Sequence, residues 1–413
     1  MIAAAAGQPA LLTRILRVPL ALILAAAVVA GCTPDGDGAR AVQVNKAAGP
    51  VCGLWYAIGS APAPATIATA VRHNSVIVLN AWEQDTMRRI KALDPSVKVL
   101  VYKDLSSTRS YSGAYDGGKD ADFLPAGVGY AYAQRKHPEW FATDTFGSRI
   151  EWNAAYPHHW QMAVWNVAYQ RYWTEQVTKE VLTQGWDGVL ADNDFAQLYH
   201  YSPKLLRGTT SPDQTNHKLR DGLDRLVTMA GSRLAGAGKL FVPNIAEARL
   251  TPGRWTSHSR FGGGMEEGMS YPIPEGLMPF GYSQWNEMSQ TAARGSALVL
   301  LITQPRLPNS NPTGFASAAL LSGSKTCWMS GDSYNYRKPT RTALQDLDLG
   351  QALGPATRRA DGVWTRRFAH GIAVVNPTIL PRPLSLPKGT RTASGGQVPA
   401  MLAPVSGDIY VLP

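Results

Sequence analysis

Two clusters of carboxylates carry the clearest chemical signal in this chain. In "GWDGVLADNDF" a short apolar run ends in Asp192, Asn193 and Asp194, and in "GGGMEEGMSYP" another ends in Glu266 and Glu267. A strand that served only packing would close on turn residues, and acidic groups this crowded repel one another unless something uses them. Hydrolysis of a glycosidic bond asks for two carboxyl groups in different states, one protonated to donate to the leaving oxygen and one ionised to attack or to activate water. Asp192 with either Glu266 or Glu267 meets that demand, and a neighbouring negative charge helps by raising one of the two pKa values. Residues two apart share a face while a strand lasts, so Asp194 is expected beside Asp192. The pleat turns only one of the two glutamates inward, and the residues alone leave the choice open. The competing reading makes the aspartates helix caps or calcium ligands and the glutamates a solvated edge; D-N-D lacks the glycine and distal glutamate of an EF-hand loop.

The elements that must position these groups follow from the hydrophobic pattern. Short apolar runs lie at Leu54–Ala57, Val76–Leu79, Val97–Tyr102, Gly188–Ala191, Lys239–Val242, Gly264–Glu267, Ala297–Ile302 and Thr326–Met329. Between them, apolar residues recur at helical spacing over Glu83–Leu93, Tyr169–Gln184, Asn216–Ala235, Ser283–Arg294 and Thr313–Leu321. Eight strands alternating with helices predict an α/β fold, a (β/α)8 TIM barrel over 51–337, with a doubly wound sheet as the alternative. The C-terminal strand ends of such a barrel share one face, which would gather Tyr56, Asn80, Trp82, Lys103, Asp104, Asp192, Asp194, Asn244, Glu247, Glu266, Glu267, Thr303, Gln304 and Asp332 around one pocket. Of these, Tyr56, Asn80, Trp82, Lys103, Asp104, Asp194, Asn244 and Gln304, with Tyr271, are expected to bind substrate. Beyond residue 338, short alternating runs at Val363–Phe368 and Gly371–Val375, bounded by Gly, Pro and Asn, predict a small antiparallel β domain over 338–413.

Aromatic residues thicken around the same loops: Trp82, Trp140, Trp152, Trp160, Tyr199, Tyr201, Tyr271 and Trp285. Sugar rings stack their C–H faces on such side chains, although a tryptophan packed between helix and sheet is the commoner case. Trp165 and Trp173, eight apart on a helical pattern, are expected in the core. His158 and His159 are adjacent in a loop and lack the spacing of a metal pair, so no metal or other cofactor is expected. The chain has no G-x-S-x-G elbow, and Gly262-Gly263-Gly264 lacks the Lys-Ser/Thr of a phosphate loop and reads as a turn.

The N-terminus has a different purpose. Arg14 and Arg17 precede an apolar run, Val18–Ala30, too short to span a bilayer comfortably, and "VAGC" then resembles a bacterial lipobox. Residues 1–32 are therefore expected to be a lipoprotein signal with Cys32 the lipidated residue, and 33–50 a flexible tether. Such a signal would place the protein outside the cytoplasm, anchored to the outer face of the cell membrane. Two of the three cysteines then remain, and an even pair in an exported protein suggests a Cys52–Cys327 disulfide, possible only if the first and eighth strands are neighbours. The formal charge is +10 with the basic residues scattered, so no nucleic-acid partner is indicated, and a monomer is expected.

"LWYAIG", "LNAWEQDTMRRIKALDPSVKVLVYKDLSS", "HPEWFATDTFGSRIEW", "GWDGVLADND", "GGGMEEGM" and "RRFAHGIAVVNPT" resemble bacterial glycosyl hydrolases of the hypothetical glycosyl hydrolase family 15 type, a likeness spanning nearly all of residues 51–378. The resemblance implies a TIM-barrel glycosidase distantly similar to α-galactosidase-like and polygalactosaminidase-like barrels. It implies Asp192 as nucleophile or base and Glu266 or Glu267 as acid. The expected function is hydrolysis of a polysaccharide or oligosaccharide. A carbohydrate-binding lipoprotein without turnover is the alternative, and a metal-dependent hydrolase using Asp192, Asp194 and the histidines lacks motif support.

Overall fold

A computed structural model describes residues 49–59, 62–323, 325–331 and 336–413. Cys32, the signal, all of the tether before residue 49, and Asp332 lie outside them. Eight strands form a closed parallel barrel: β1 Cys52–Ala57, β2 Val76–Leu79, β3 Lys98–Asp104, β4 Gly188–Asp194, β5 Leu240–Ile245, β6 Gly263–Glu266, β7 Leu298–Thr303 and β8 Thr326–Ser330. Each strand pairs with its sequence neighbours, and β8 closes on β1 with Cys52 and Cys327 as register partners. These two cysteines form a disulfide, their Cα atoms 4.3 Å apart.

Nearly every strand residue is buried, because a parallel sheet curled into a barrel is covered by side chains inside and by helices outside. Alternation sorts the two faces. Leu54, Tyr56, Val76, Val78, Leu100, Tyr102, Leu190, Val242, Met265, Leu300 and Ile302 pack together inside. Trp55, Ile77, Leu79, Val99, Val101 and Val189 face outward onto helical residues such as Ile67, Val71, Met87 and Ile90.

One barrel helix follows each of the first seven strands: α1 Pro64–His73, α2 Gln84–Leu93, α3 Val167–Gln184, α4 Pro212–Gly236, α5 Arg254–Ser259, α6 Ser283–Arg294 and α7 Ser310–Leu320; a further short helix, Tyr130–Lys136, lies in the long loop between β3 and α3. Local chemistry sets their ends. Asn166 accepts from the backbone N–H groups of Ala168 and Tyr169 to start α3, and Gly185 ends it at φ 87°, which a side chain would resist. Ser211 caps α4 with Pro212 in its first turn. The sequence pattern missed α1, the helix Tyr130–Lys136 and the six-residue α5. Trp165 differs from the expectation too: it precedes α3 and is half-buried under the Lys218 ammonium, 4.6 Å from its ring, whereas Trp173 is fully buried. The glycine run expected as a turn instead leads into β6. A Cβ on Gly263, at φ 150°, would lie 2.5 Å from the Leu298 carbonyl oxygen of β7, so the strands approach closely only without one.

Among the described residues no α-helix follows β8. The chain runs through a 3₁₀ turn, Ala343–Asp346, into a five-stranded antiparallel sheet of β9 Thr357–Arg358, β10 Trp364–Arg367, β11 Gly371–Asn376, β12 Arg391–Thr392 and β13 Ser406–Val411, in the order β9-β10-β11-β13-β12. One face packs Phe368, Ala373, Val375 and Ile409 against Phe315, Ala316 and Ala319 of α7. The other gathers Val363, Ile372, Val374, Leu384, Leu402 and Tyr410 into a small core of its own. The structure is thus a TIM barrel with a C-terminal antiparallel sheet docked on it.

Candidate active site

The pleat of β6 separates the two glutamates. Met265 points into the barrel, so Glu266 points out and Glu267 in. Glu266 is enclosed against α6, where one oxygen accepts from the Gly268 N–H at 2.7 Å and the other from the Gln284 side-chain amide at 2.5 Å. Burial raises its pKa. Glu267 stands at the mouth: Oε2 accepts from Asn244 Nδ2 at 2.8 Å and Oε1 from the Tyr336 hydroxyl at 2.5 Å. Burial first, and then the nearby Asp192, push its pKa up to about 7.

On β4, Leu190 points inward, and Asp192 therefore does as well. Its Oδ2 accepts from the Tyr102 hydroxyl at 2.6 Å, and its Oδ1 from the Asn193 N–H and from Asn244 Nδ2, both at 2.9 Å. One amide nitrogen on β5 thus touches both carboxylates. The two oxygens it reaches are no farther apart than those bonds laid end to end, about 5.7 Å.

Asp194 goes elsewhere. The β4–β5 register shifts between Ala191 and Asp194, and Asn193 takes a left-handed conformation, φ 63°, which asparagine tolerates better than most residues. The alternation that would have put Asp194 beside Asp192 is broken there. Asp194 is fully buried against α5, paired with Arg254 and accepting from His258 Nδ1 at 2.5 Å, and both partners also reach Asp224 of α4. The geometry therefore does not bring Asp194 to the mouth, nor to His158 and His159.

The other expected pocket residues divide likewise. Lys103 follows the inward Tyr102 and so points outward, where its buried ammonium donates to Glu180 of α3 at 2.7 Å and to the Leu124 carbonyl. Asp104 is completely enclosed and organises the loop after β3, accepting from the Ser106 and Ser107 N–H groups, Arg109 and Asn193. Asn80 is tied to Gly59 and Glu83 within the turns after β1 and β2. Tyr56 tops the barrel interior, its ring edge-on to Tyr336 at 5.1 Å. Gln304 donates to the Tyr336 hydroxyl at 2.5 Å. Thr303 accepts from the Trp328 indole, and Tyr271 lies 5.1 Å beneath the Arg306 guanidinium. Glu247, in a left-handed turn, has its pKa raised by burial.

Among the aromatics, Trp140 and Trp285 are core, the latter stacked on Phe280 and touching Trp364 of the C-terminal sheet. Trp152 stacks on Tyr201 at 3.7 Å, and Tyr201 hydrogen-bonds Asn193, bracing the bulge. Trp160 donates to Ser110. His159 lies flat on Trp152, its pKa pulled down to about 3 by burial and by the charge of Arg109; His158 sits 3.8 Å from Glu151. Trp82 and Tyr199 remain open to solvent.

Three residues of the carboxylate network escaped the sequence reading: Tyr102, Tyr336 and Arg109. Tyr102 was within reach, because it shares the inward face of a recognised strand with Leu100. Arg109 ends a three-residue strand, Ser107–Arg109, paired with His159–Gln161 and too short to show a period, and Tyr336 sits in an irregular segment.

The sequence of residues 91–372 matches that of hypothetical glycosyl hydrolase family 15. The chain belongs to that family. No curated protein matches the chain. Solved structures resemble it remotely. The glycoside hydrolase domain of PelA from Pseudomonas aeruginosa is 12% identical, with 65% of this chain and 89% of that one covered at a TM-score of 0.38. The cycloalternan-degrading enzyme from Trueperella pyogenes is 13% identical, covering 90% and 64% at a TM-score of 0.44. The maltogenic alpha-amylase AmyB from Thermotoga neapolitana is 8% identical, covering 88% and 96% at a TM-score of 0.42. Membership of the family makes the chain a candidate glycoside hydrolase.

Proposed function

We propose that the protein hydrolyses O-glycosidic bonds of a polysaccharide or oligosaccharide, with Asp192 as nucleophile and Glu267 as general acid. The observation that carries this reading is the pair itself: two carboxyl groups at the tips of β4 and β6, bridged by Asn244, one of them with its pKa pushed up to about 7. In the first step Glu267 gives its proton to the leaving glycosidic oxygen as the C1–O bond breaks, and an Asp192 oxygen bonds to C1. In the second, Glu267, now ionised, takes a proton from water, and that water displaces Asp192 from C1. The spacing supports retention of configuration. Double displacement uses carboxyl groups roughly 5–5.5 Å apart, whereas inversion leaves room for a water at roughly 6.5–9.5 Å. Trp82, Tyr199 and the half-exposed Tyr156 offer rings for sugars at the rim.

The test is release of reducing ends by the full chain from a panel of bacterial and plant polysaccharides, beside Asp192→Asn and Glu267→Gln. We expect Asp192→Asn to remove essentially all release and Glu267→Gln to lower kcat by roughly 10²–10⁴-fold. Proton NMR of the first-formed product should show the substrate's anomer. Equal release by wild type and Asp192→Asn would exclude this assignment, and glycan retained by both without release would favour a binding protein.

We further propose that Cys32 carries lipid and tethers the barrel outside the cytoplasm. Radiolabelled palmitate should enter the wild type and not Cys32→Ser.

A further inference from the structure

We propose that Tyr336, held by Gln304, is a positioning residue that directs the proton of Glu267 toward the mouth of the barrel and steadies the carboxylate after the proton leaves. This inference rests on the assignment of Glu267 as the acid.

The hydrogen-bond chain has a direction. Gln304 Nε2 can only donate, and it donates to the Tyr336 hydroxyl; the single proton of that hydroxyl is then left for Glu267 Oε1. Asn244 donates to Oε2. Each oxygen of Glu267 therefore has one lone pair occupied from the barrel wall, and its acidic proton must sit on a remaining lone pair. Tyr336 itself is fixed from two further sides: its carbonyl accepts from Trp55 Nε1 at 3.0 Å, and its ring meets Tyr56 edge-on. It is held as a rigid donor, with no ring nitrogen or carboxylate of its own to take part in proton transfer.

Asp192 has a matching tyrosine with a different backing. Tyr102 donates to Asp192 and accepts from Arg109 Nη2 at 3.2 Å, a guanidinium. The hydroxyl behind Asp192 is polarised by a cation, whereas the one behind Glu267 is supported by a neutral amide. The same side chain thus serves the two carboxyl groups with different backing.

The charged and titratable groups that act on Glu267 are Asp192 from β4, the adjacent Glu266, Tyr56 from β1, Tyr336 beyond β8, and Tyr156 and Tyr201 from the loops after β3 and β4. Burial holds all four phenols above their ordinary pKa, so they stay neutral through the working range, and Asp192 is the charge that chiefly disfavours ionised Glu267. Tyr336 opposes it, and removing a donor to the ionised form raises an acid's pKa.

Tyr336→Phe in the full chain should move the basic limb of kcat/KM to higher pH by about one unit, a tenfold change in the ionised fraction, while lowering plateau kcat and leaving KM unchanged. Gln304→Leu should shift the limb in the same direction by less, and it carries the test if Tyr336→Phe does not fold. A uniform fall in kcat with the limb unmoved, or a rise in KM alone, would overturn the inference. An NMR titration of ¹³C-carboxyl glutamate, with Glu267 assigned by its absence in Glu267→Gln, reads the same quantity without substrate. A raised Glu267 midpoint in the variant of a protein that cleaves no glycan would uphold the role of Tyr336 and refute the glycosidase; an unchanged midpoint would refute the role itself.

Discussion

Glu266 and Glu267 are the same residue type one position apart, and the pleat alone gives them opposite surroundings. Glu266 accepts a backbone N–H and an amide in a closed pocket, while Glu267 shares a solvent-facing mouth with another carboxylate. The raised pKa of Glu267 has a consequence for stability. Its ionised form is disfavoured in the fold, so between the unfolded value near 4.3 and the folded value of about 7 the native state binds the extra proton and stability falls as pH rises. Glu267→Gln removes that cost. The variant should match or trail the wild type near pH 4.5 and gain on it up to pH 8, by as much as about 3 kcal/mol before the poorer hydrogen bonding of the amide is subtracted. Thermal melts at the two pH values measure this, and a difference that does not change with pH would contradict the assignment.

At the scale of the element, the bulge in β4 decides the site. One left-handed residue, Asn193, leaves Asp192 facing the mouth and turns Asp194 into the layer between barrel and helices. There Asp194, Arg254, His258 and Asp224 lock β4 to α5 and α4. Burial pushes the Asp194 carboxyl up, but the charges of Arg254 and His258 prevail and hold it below the usual value. Burial pulls His258 down, and Asp194 more than restores it, so its pKa is raised. The aspartate's contribution is present above its unfolded pKa near 3.9 and is lost as pH falls through the lower folded value. The histidine's is complete below its unfolded pKa near 6.5 and is lost as pH rises through the higher folded value. Asp194→Asn leaves the buried guanidinium of Arg254 with only the half-exposed carboxylate of Asp224, for which we expect a loss of about 3 kcal/mol in urea unfolding. A loss under 1 kcal/mol would mean that the cluster is solvated in solution.

For the whole molecule, closure is the property that matters, because Glu267 just past β6 and Tyr336 beyond β8 face Asp192 on β4 only if the sheet returns on itself. The Cys52–Cys327 disulfide staples the seam between β1 and β8 across a separation of 275 residues. A loop that long restricts the unfolded chain substantially, and the double variant Cys52→Ser, Cys327→Ser should lose about 2–5 kcal/mol relative to the oxidised protein. The wild type melted in reductant should reproduce that loss, and equal melting temperatures in both comparisons would show that the seam holds without it. The C-terminal sheet covers α7 where no eighth helix is described, so its removal would expose Phe315 and its neighbours to water.

The features legible in the chain alone were those that depend on local pattern. Apolar runs of strand length, separated by helical periodicity, defined all eight strands within a residue or two at most ends, and eight such units close naturally into a barrel whose strand tips share one face. That Asp192 and one of the glutamates would meet at one mouth was legible because carboxylates closing the fourth and sixth strands of a barrel share its C-terminal face. The tertiary structure decided the rest. Whether Glu266 or Glu267 faces the mouth depends on the phase of the β6 pleat against its neighbours, and one residue of slip reverses it. Asp194 left the site because of a bulge that is defined only against β5. Lys103 and Asp104 turned out to hold loops and helices, since a place at the end of a strand does not say which way a side chain points. Tyr336 came to the carboxylates through irregular chain and Arg109 through a three-residue strand in the loop after β3, both too short of pattern to carry a period, so only the packed fold sets their position.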